Sequence, residues 1–342
     1  MKLIRIQDIQ TLFTRIEIKT FFRELVTILR EDFSNWADFQ KSARYAAYVK
    51  NGVMELMPIC SETLFSFKYV NGHPENPAKN LLNIVALGML ADVQTGHPLM
   101  ISEMTLLTAL RTAAVSALTS QLMARKNSKK LAIIGCGAQS EFQVLAHHAL
   151  FDLTEVHYFD LDSLAMERFA KHLKDESFTL IPATDTRQAI QNADIIITAT
   201  AARGSQQVLK AEWIQPGQHI SGIGGDSPGK TELDPALLKT SRVVVEYFPQ
   251  TLHEGEIQNL GDQAEEYVYA ELWELCSGKK SGRDLDQDIT LFDAVGFALE
   301  DYSILRYVHQ LSTRLEIGLD TDLIPEHIAN PKNLFGLLQK IS

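Results

Sequence analysis

The segment IIGCGAQSEF, residues 133–142, contains the residue types that hold the phosphates of a dinucleotide. Gly135 and Gly137 end a predicted strand and open a predicted helix, where backbone N–H groups can bind a pyrophosphate. Ser140 stands where the consensus has a third glycine, a departure that its small size makes tolerable. Asp160 closes the next predicted strand at the expected interval of about 20 residues, where a carboxylate accepts hydrogen bonds from a ribose hydroxyl and repels a 2′-phosphate. The pattern favours an NAD site over an NADP site, and a glycine loop without a ligand is the alternative.

Three cations in the first third of the chain have apolar sequence neighbours: Arg44 in KSARYAAY, Lys68 in FSFKYVNGHP and Arg111 in TALRTAAVSAL. Isolated cations in such surroundings are costly unless they are paired or face a polar site. Together they could bind one substrate carboxylate, with arginine offering two parallel hydrogen bonds. For each cation taken alone, a structural ion pair or a solvent-facing strand position is the favoured explanation. Glu55, in VMELMP, is isolated in the same way and is either a structural partner or a proton-relay group.

A lone aspartate stands among turn-forming residues in IGGDSPGKTEL, residues 223–233. Asp226 follows Gly224 and Gly225, and Lys230 comes four residues later. Glycine, aspartate, serine and proline are the residues of which turns are built, so the composition predicts a turn. The turn does not explain why a carboxylate and a cation are both placed in it.

Composition narrows the classes of protein to which the chain can belong. Its 342 residues suit two domains, and 45% hydrophobic with 22% charged residues is ordinary globular composition. The net charge of −11 and the lack of a Lys/Arg block argue against nucleic-acid binding. Cys60, Cys136 and Cys276 have no CxxC spacing and predict neither disulfides nor a zinc site. No signal-peptide pattern or membrane-spanning apolar run is visible, so we expect a soluble, cytoplasmic protein with no membrane partner.

The first third of the sequence predicts a helix followed by antiparallel strands. Residues 17–33 have apolar residues at helical spacing, and short strand-like segments follow. DVQTGHP, with Gly96 and Pro98, predicts a hairpin turn. The Ala/Leu-rich segment TLLTALRTAAVSALTSQLMAR predicts a helix of several turns.

The middle of the chain has a different pattern, in which apolar strands alternate with helices. KLAIIGCGAQ, EVHYFDLD, DIIITATA, QHISGIGG and RVVVEY are the clearest strands, and alternation of this kind indicates a parallel sheet covered on both faces. The C-terminal helix predicted in ALEDYSILRYVHQLSTRL is expected to return to the first domain. We therefore predict an α/β protein: a Rossmann domain over residues 116–305 and an α+β domain formed by residues 1–115 and 306–342.

Segments spread along nearly the whole chain resemble the ornithine cyclodeaminase/mu-crystallin family. The resemblance is seen in KSARYA, MELMPI, FKYVNGHPENPAKNL, ALRTAAVSAL, IGCGAQSEFQ, IGGDSPGKTEL, VEYFPQTLHEGEIQNL and FDAVGFALEDYSILRYV. Within the family, KYVNGHP, GGDSPGKTEL and EGEIQ look more like the cyclodeaminases than the reductases or alanine dehydrogenases.

The resemblance implies a homodimer whose subunit has an NAD-binding Rossmann domain and a domain for substrate binding and dimerisation. It also implies the conversion of L-ornithine to L-proline and ammonia, with hydride transfer to and from bound NAD. The alternatives are a cyclic-imine (ketimine or pyrroline-2-carboxylate) reductase, an amino-acid dehydrogenase, or a cyclodeaminase for lysine or arginine. A non-catalytic binding protein is a further alternative, because mu-crystallin-like members have such roles.

The resemblance also implies roles for individual residues. Asp226 matches the catalytic acid/base and also contacts the substrate. Glu55 is the second catalytic candidate, on its isolation in VMELMP and not on the resemblance. The substrate contacts are Arg44, Lys68 and Arg111 at the carboxylate and the Val295 backbone. The predicted cofactor contacts are Asn83, Arg111, Gly135, Gly137, Ala138, Gln139, Asp160, Thr200, Ile220, Ser221, Gly222, Ile223, Lys230 and Ala294. Asn83 and Ala294 depart from the threonine and serine that the family pattern leads us to expect, which puts cofactor affinity in question.

Overall fold

The computed structural model describes residues 1–200, 204–325 and 330–338. Two large sheets, one mostly antiparallel and one wholly parallel, are joined by two long helices. Among the described residues, no helix is both long and apolar enough to cross a bilayer.

The first third of the chain supplies two helices and six strands of a seven-stranded sheet. Its first elements are strand β1 (Lys2–Ile4), helices α1 (Ile6–Arg15) and α2 (Ile18–Ser34), and strands β2 (Tyr45–Val49), β3 (Gly52–Cys60), β4 (Leu64–Gly72), β5 (Ile84–Asp92) and β6 (Pro98–Glu103). Strands β2 to β6 pair antiparallel in chain order, as predicted. The helix predicted over residues 17–33 is confirmed as α2. It forms because Phe21, Phe22, Leu25, Val26 and Leu29 repeat on one face and are all buried.

Helix α3 (Thr105–Met123) leads from this sheet into the parallel sheet. The parallel part contains strands β7 (Lys130–Ile134), β8 (Glu155–Phe159), β9 (Thr179–Pro182), β10 (Ile195–Thr198), β11 (Ser205–Leu209), β12 (His219–Gly222), β13 (Thr231–Leu233), β14 (Arg242–Val245), β15 (Val268–Glu271) and β16 (Thr290–Asp293). The helices between them are α4 (Ser140–Leu150), α5 (Ser163–Leu173), α6 (Thr186–Ile190), α7 (Pro235–Thr240), α8 (Phe248–Glu254), α9 (Ala264–Tyr267) and α10 (Leu272–Cys276). Short 3₁₀ turns occupy Trp36–Asp38, Asn76–Lys79, Ala211–Trp213, Glu256–Gln263 and Leu334–Leu338.

The eight-stranded parallel sheet has the order β9-β8-β7-β10-β12-β16-β14-β15, and β11 pairs with β13 outside it. The chain starts at β7, moves outward to β9 and then returns to β10 on the other side of β7. Ligands of doubly wound sheets bind at the carboxyl ends of the strands where this order reverses. The predicted α/β fold with a Rossmann-type sheet is confirmed, and its binding edge lies above β7 and β10.

Helix α3 contacts β5 of the first sheet and β12 and β16 of the parallel sheet. Helix α11 (Ala298–Arg314) contacts β3, β4 and β5 of the first sheet. The predicted domain boundaries, after residues 115 and 305, fall inside these two helices, so the division into domains stays a prediction. Strand β17 (Leu319–Asp320) follows α11 and pairs with β1, which returns the chain to the first sheet.

Candidate active site

The glycine turn lies at the reversal point, directly after β7. Gly135 has φ 100°, and a Cβ there would lie 2.5 Å from the carbonyl oxygen of Ala199, which follows β10. Only glycine combines this backbone conformation with so close an approach. By contrast, a Cβ at Gly137 would meet nothing within 4 Å, so the turn has open space on that side.

Asp160 follows β8 directly, and its side chain contacts the glycine turn. Its carboxylate accepts hydrogen bonds from the backbone N–H of Cys136 at 2.6 Å and of Asp162 at 2.9 Å. Burial and the negative charge of Asp160 raise the pKa of the Cys136 thiol to about 12, which makes it unreactive. Gln139 precedes α4, and its buried Oε1 has no hydrogen-bond partner among the described residues. An open turn at a helix N-terminus, an acid on the next strand and an unsatisfied amide together fit a dinucleotide.

Residues predicted for the other half of the cofactor lie at the ends of β10, β12 and β16. Thr200 donates a hydrogen bond to Glu232, and the hydroxyl groups of Ser221 and Ser116 are 2.8 Å apart. Gly222 ends β12, and its carbonyl accepts from the N–H of the buried Ala294 at 3.0 Å. Ile223 and Ala138 also lie at this edge, partly buried and exposed respectively. Their cofactor contacts stay predictions.

Two of the predicted cofactor contacts, Ile220 and Asn83, have no described contact with the glycine turn. The Ile220 side chain is fully buried in an apolar core cluster beside the parallel sheet. Asn83 is exposed in the turn before β5, where its carbonyl accepts from the N–H of His73 at 2.9 Å. Nothing in the described contacts links either side chain to the glycine turn, and both assignments stay predictions.

Lys68 and Arg111 meet at a single carboxylate that the sequence analysis did not identify. The Lys68 Nζ donates to Asp301 Oδ1 at 2.9 Å, and the Arg111 Nε donates to the same oxygen at 3.1 Å. Arg111 Nη1 also pairs with Glu300. Asp301 and Glu300 occupy the first turn of α11, and all four side chains are buried. Burial and the neighbouring Arg111 lower the pKa of Lys68 to about 8.

Arg44 links the first sheet to the loop after β16. Its Nη2 donates to the backbone carbonyls of Val295 at 2.7 Å and Gly296 at 2.6 Å, and its Nη1 lies 3.1 Å from Glu55 Oε2. Glu55 on β3 and Lys68 on β4 share a sheet face, because Glu55 opposes Val70 and Lys68 opposes Met57. The three predicted cations therefore converge on the start of α11 and the loop before it.

The loop that holds Val295 is itself fixed by a buried carboxylate at the end of β14. Glu246 accepts hydrogen bonds from the N–H groups of Val295 at 2.8 Å and Gly296 at 2.9 Å. Burial and the adjacent Glu300 raise the pKa of Glu246 well above its usual range. One proton shared between Glu246 and Glu300 relieves the repulsion, since two buried carboxylates in contact cannot both ionise at low cost.

Asp226 lies in a turn, as predicted, four residues beyond the end of β12. Its Oδ1 accepts from Lys230 Nζ at 2.9 Å, and 41% of the side chain is exposed. Asp226 is also close enough to Arg44 to interact with it electrostatically. The space beside Gly224 and Gly225 is filled by buried glutamates: an added Cβ would lie 2.1 Å from the Glu232 carboxylate and 2.5 Å from the Glu256 carboxylate, respectively.

The arrangement has the parts of an enzyme that acts on a small carboxylate beside a dinucleotide. Buried cations can bind the carboxylate, a partly exposed aspartate can exchange a proton, and the glycine turn can hold phosphates. The fold and the site therefore define a dinucleotide-dependent enzyme of the doubly wound α/β class.

Comparisons with known proteins show the family to which the chain belongs. The sequence profile of the ornithine cyclodeaminase/mu-crystallin family matches residues 7–314, and the chain belongs to this family. An ornithine cyclodeaminase of Agrobacterium fabrum is 44% identical over 335 residues, which are 98% of this chain and 94% of the relative. The resemblance inferred from the sequence motifs is confirmed.

Two solved structures are similar over almost the full length. A dimeric archaeal alanine dehydrogenase with bound NAD is 31% identical with a TM-score of 0.87, covering 94% of this chain and 99% of that one. A lysine cyclodeaminase, described for its recognition of L-lysine, L-ornithine and L-2,4-diaminobutyric acid, is 28% identical with a TM-score of 0.89, covering 98% of this chain and 99% of that one.

Proposed function

We propose that the chain is an ornithine cyclodeaminase, which converts L-ornithine to L-proline and ammonia with NAD as a recycled cofactor. The observation on which the proposal depends is the convergence of Arg44, Lys68 and Arg111 on the first turn of α11 and the loop before it. Asp226 lies close enough to Arg44 to interact with it electrostatically. The full-length similarity to the Agrobacterium fabrum cyclodeaminase supports the same reaction.

The three cations would bind the α-carboxylate of the substrate. Arg111 directs Nε and Nη1 to Asp301 and Glu300, which fixes the plane of its guanidinium group. Lys68 is a three-proton donor held at Asp301, and the protons not used there are available to a ligand. The Val295 carbonyl accepts from Arg44 and its N–H donates to Glu246, which holds the backbone in place. The second lone pair of the carbonyl oxygen would accept a hydrogen bond from the substrate.

The turn of Asp226 would supply acid/base chemistry at the substrate nitrogens. When bound, NAD supplies a reversible acceptor for the hydrogen on the substrate α-carbon. Asp226 can take a proton from a substrate nitrogen and return one, because its carboxylate is partly exposed and adjoins Lys230. Ring closure is intramolecular in ornithine, so positioning the substrate is a large part of the catalysis.

The reaction is tested by mixing the purified protein with L-ornithine and a catalytic amount of NAD. Ammonia and proline in equal amounts, both far exceeding the NAD supplied and without lasting NADH absorbance, support the cyclodeaminase reaction. NADH that accumulates in step with ammonia would instead identify an amino-acid dehydrogenase. If ornithine gives no product, the same assay with lysine, with arginine, and with cyclic imines plus NADH tests the other enzymes of the family.

Asp160 is expected to set the preference for NAD over NADP. Replacing it by serine (Asp160→Ser) removes the carboxylate that repels a 2′-phosphate, and we expect the preference to fall about tenfold or more. The ratio of kcat/KM for the two cofactors measures it. Asp162→Ser is the matched control, because serine can also cap α5 and should leave the ratio unchanged. An unchanged ratio in Asp160→Ser would remove the residue from cofactor selection.

We further propose a homodimer formed through the outer face of the first sheet. Four residues of this face lie directly opposite one another across neighbouring strands: Tyr45, Leu56, Tyr69 and Leu87. Tyr45 is 67% exposed, Leu56 43% and Leu87 55%, which makes a continuous apolar surface. A second copy of the chain is the proposed occupant, because the similar archaeal alanine dehydrogenase is a dimer.

The cytoplasmic location expected from the sequence also stays a prediction.

Leu87→Asp should dissociate this dimer, because a buried, unpaired carboxylate in an apolar interface is strongly unfavourable. We expect a dimer dissociation constant raised about a hundredfold or more, measured by light scattering during gel filtration. Leu285 is equally exposed but lies before β16 in the parallel part, so Leu285→Asp is the control and should leave the mass unchanged. A Leu87→Asp protein that keeps the wild-type dimer mass would move the interface elsewhere.

A further inference from the structure

Glu254, the last residue of α8, is a buried carboxylate beside Arg44 that the proposed reaction does not use. Its side chain is 7% exposed, and its Oε2 lies 3.2 Å from Arg44 Nε. The two atoms form an ion-pair contact, yet within the described part of the chain neither makes a hydrogen bond. Buried polar atoms are almost always hydrogen-bonded, so both atoms are set up for a further partner.

Negative charge is in excess around this position. Glu55 and Glu254 both contact the guanidinium group of Arg44, so two carboxylates share one cation. Asp226 interacts with both Glu254 and Arg44, and its own charge is paired with Lys230. Lys68 and Arg111 do not correct the excess, because Asp301 and Glu300 already neutralise them.

The protonation behaviour of Glu254 agrees with this charge excess. Burial raises the pKa of Glu254 to about 7. Arg44 acts in the opposite direction, while Glu55 and Asp226 add to the rise. Tyr48 on β2 is also close enough to Glu254 to interact with it electrostatically. A positive charge arriving beside Glu254 would favour its ionised form.

We infer that Glu254 binds the side-chain ammonium of the substrate and so selects a diamino acid over an amino acid with a neutral side chain. The inference rests on the proposed function, in which the buried cations take the α-carboxylate. A diamino acid has one more positive charge than a neutral amino acid, and its ammonium offers three N–H donors. It therefore supplies the charge and the hydrogen bond that Glu254 lacks.

The test compares two ligands of the same length, L-ornithine and L-norvaline, which lacks the δ-amine. Their dissociation constants are measured by calorimetry on the NADH-loaded enzyme, in which oxidation of the ligand cannot begin. For Glu254→Gln we expect ornithine to bind about tenfold to a hundredfold more weakly, the usual loss for a hydrogen bond to a charged group. Norvaline should bind within about twofold of wild type, because glutamine keeps the size of the side chain and its place beside Arg44.

A matched variant separates ligand binding from support of Arg44. Glu55→Gln removes the other carboxylate from the same guanidinium group, so the ratio of ornithine to norvaline affinity should fall much less than in Glu254→Gln. Equal weakening of both ligands in Glu254→Gln would show that Glu254 only positions Arg44. Equal falls of the ratio in the two variants would show a general field effect. Either result overturns the inference, and so does an unchanged ratio in Glu254→Gln.

The pH dependence of binding to the wild-type enzyme gives a second test that needs no variant. Because the ionised carboxylate binds an ammonium, ornithine affinity should rise as pH increases through about 7, where Glu254 loses its proton. Norvaline affinity should lack this rise, since both ligands share every other ionisable contact. Parallel profiles for the two ligands would contradict the inference. Failure of ornithine turnover would contradict the proposed function alone, because the binding comparison is made without turnover.

Discussion

Asp226→Asn is expected to lower kcat by about 10²–10⁴-fold, the usual contribution of a general acid/base, while NAD affinity stays near its wild-type value. Asparagine keeps the size and hydrogen-bonding capacity of the side chain but cannot exchange a proton at neutral pH. The turn itself should survive, because asparagine suits turns as well as aspartate does. Steady-state rates of ammonia and proline release measure the loss, and titration with NAD measures cofactor binding.

Asp234→Asn is the matched control for this variant. Asp234 caps α7 by accepting from the N–H of Ala236 at 2.9 Å, and asparagine can make the same cap. The control therefore makes the same chemical change near the same turn and should keep wild-type activity. Turnover within a fewfold of wild type in Asp226→Asn would remove this carboxylate from the proton transfer and leave Glu55 as the next candidate.

The candidate site residues that could be identified from sequence alone are those with a local signature. Gly135 and Gly137 are recognisable because a strand, a glycine turn and a helix succeed one another in one short segment. Asp226 stood out because every neighbour is a turn former. For Lys68 and Arg111, isolation in apolar sequence left an ion pair, a solvent-facing position and a substrate contact open. Both residues are at most 5% exposed and are paired with carboxylates, and their substrate contact stays a prediction.

The partners of these cations could not be predicted, because they are distant in sequence. Asp301 lies 233 residues after Lys68, and only the packing of α11 against β4 brings the two together. Glu254 is present in the segment HEGEIQ, but nothing local distinguishes it from Glu256. In the fold, Glu254 faces Arg44, whereas Glu256 accepts from the backbone N–H groups of Glu232 and Leu233.

The fold was predictable where the sequence pattern is long. Strands β2 to β6 and the parallel strands have enough residues to show their periodicity. Strands β1 and β17 have three and two residues, too few to show any alternation, and their pairing joins segments that are far apart in sequence. The parallel pairing of β1 with β6 is likewise a consequence of tertiary packing.

Asp301→Asn is expected to have the largest effect on stability. It removes the one carboxylate to which both Lys68 and Arg111 donate, in a region where Asp301 is 1% exposed. Breaking a buried ion pair by removing one partner costs about 3–5 kcal/mol, because the remaining charge is left uncompensated. The free energy of unfolding from urea titrations measures this loss. Carboxylate binding should weaken as well, because the pKa of Lys68, already lowered to about 8, falls further without Asp301.

The pH dependence of the stability loss in Asp301→Asn shows whether the loss comes from the uncompensated charge of Lys68. In the folded variant, Lys68 loses its proton at a lower pH than in the folded wild type. In the unfolded chain, Lys68 keeps its proton up to its ordinary pKa of about 10.4. Stability rises with pH where the unfolded state binds more protons, so the variant gains stability below pH 8 while the wild type does not. The destabilisation should therefore shrink as pH rises towards about 8. Glu300→Gln is the control: its neighbour Glu246 can take over the negative charge beside Arg111, so we expect a smaller loss. Equal losses in the two variants, or a loss independent of pH, would show that Asp301 is not the residue that keeps Lys68 charged.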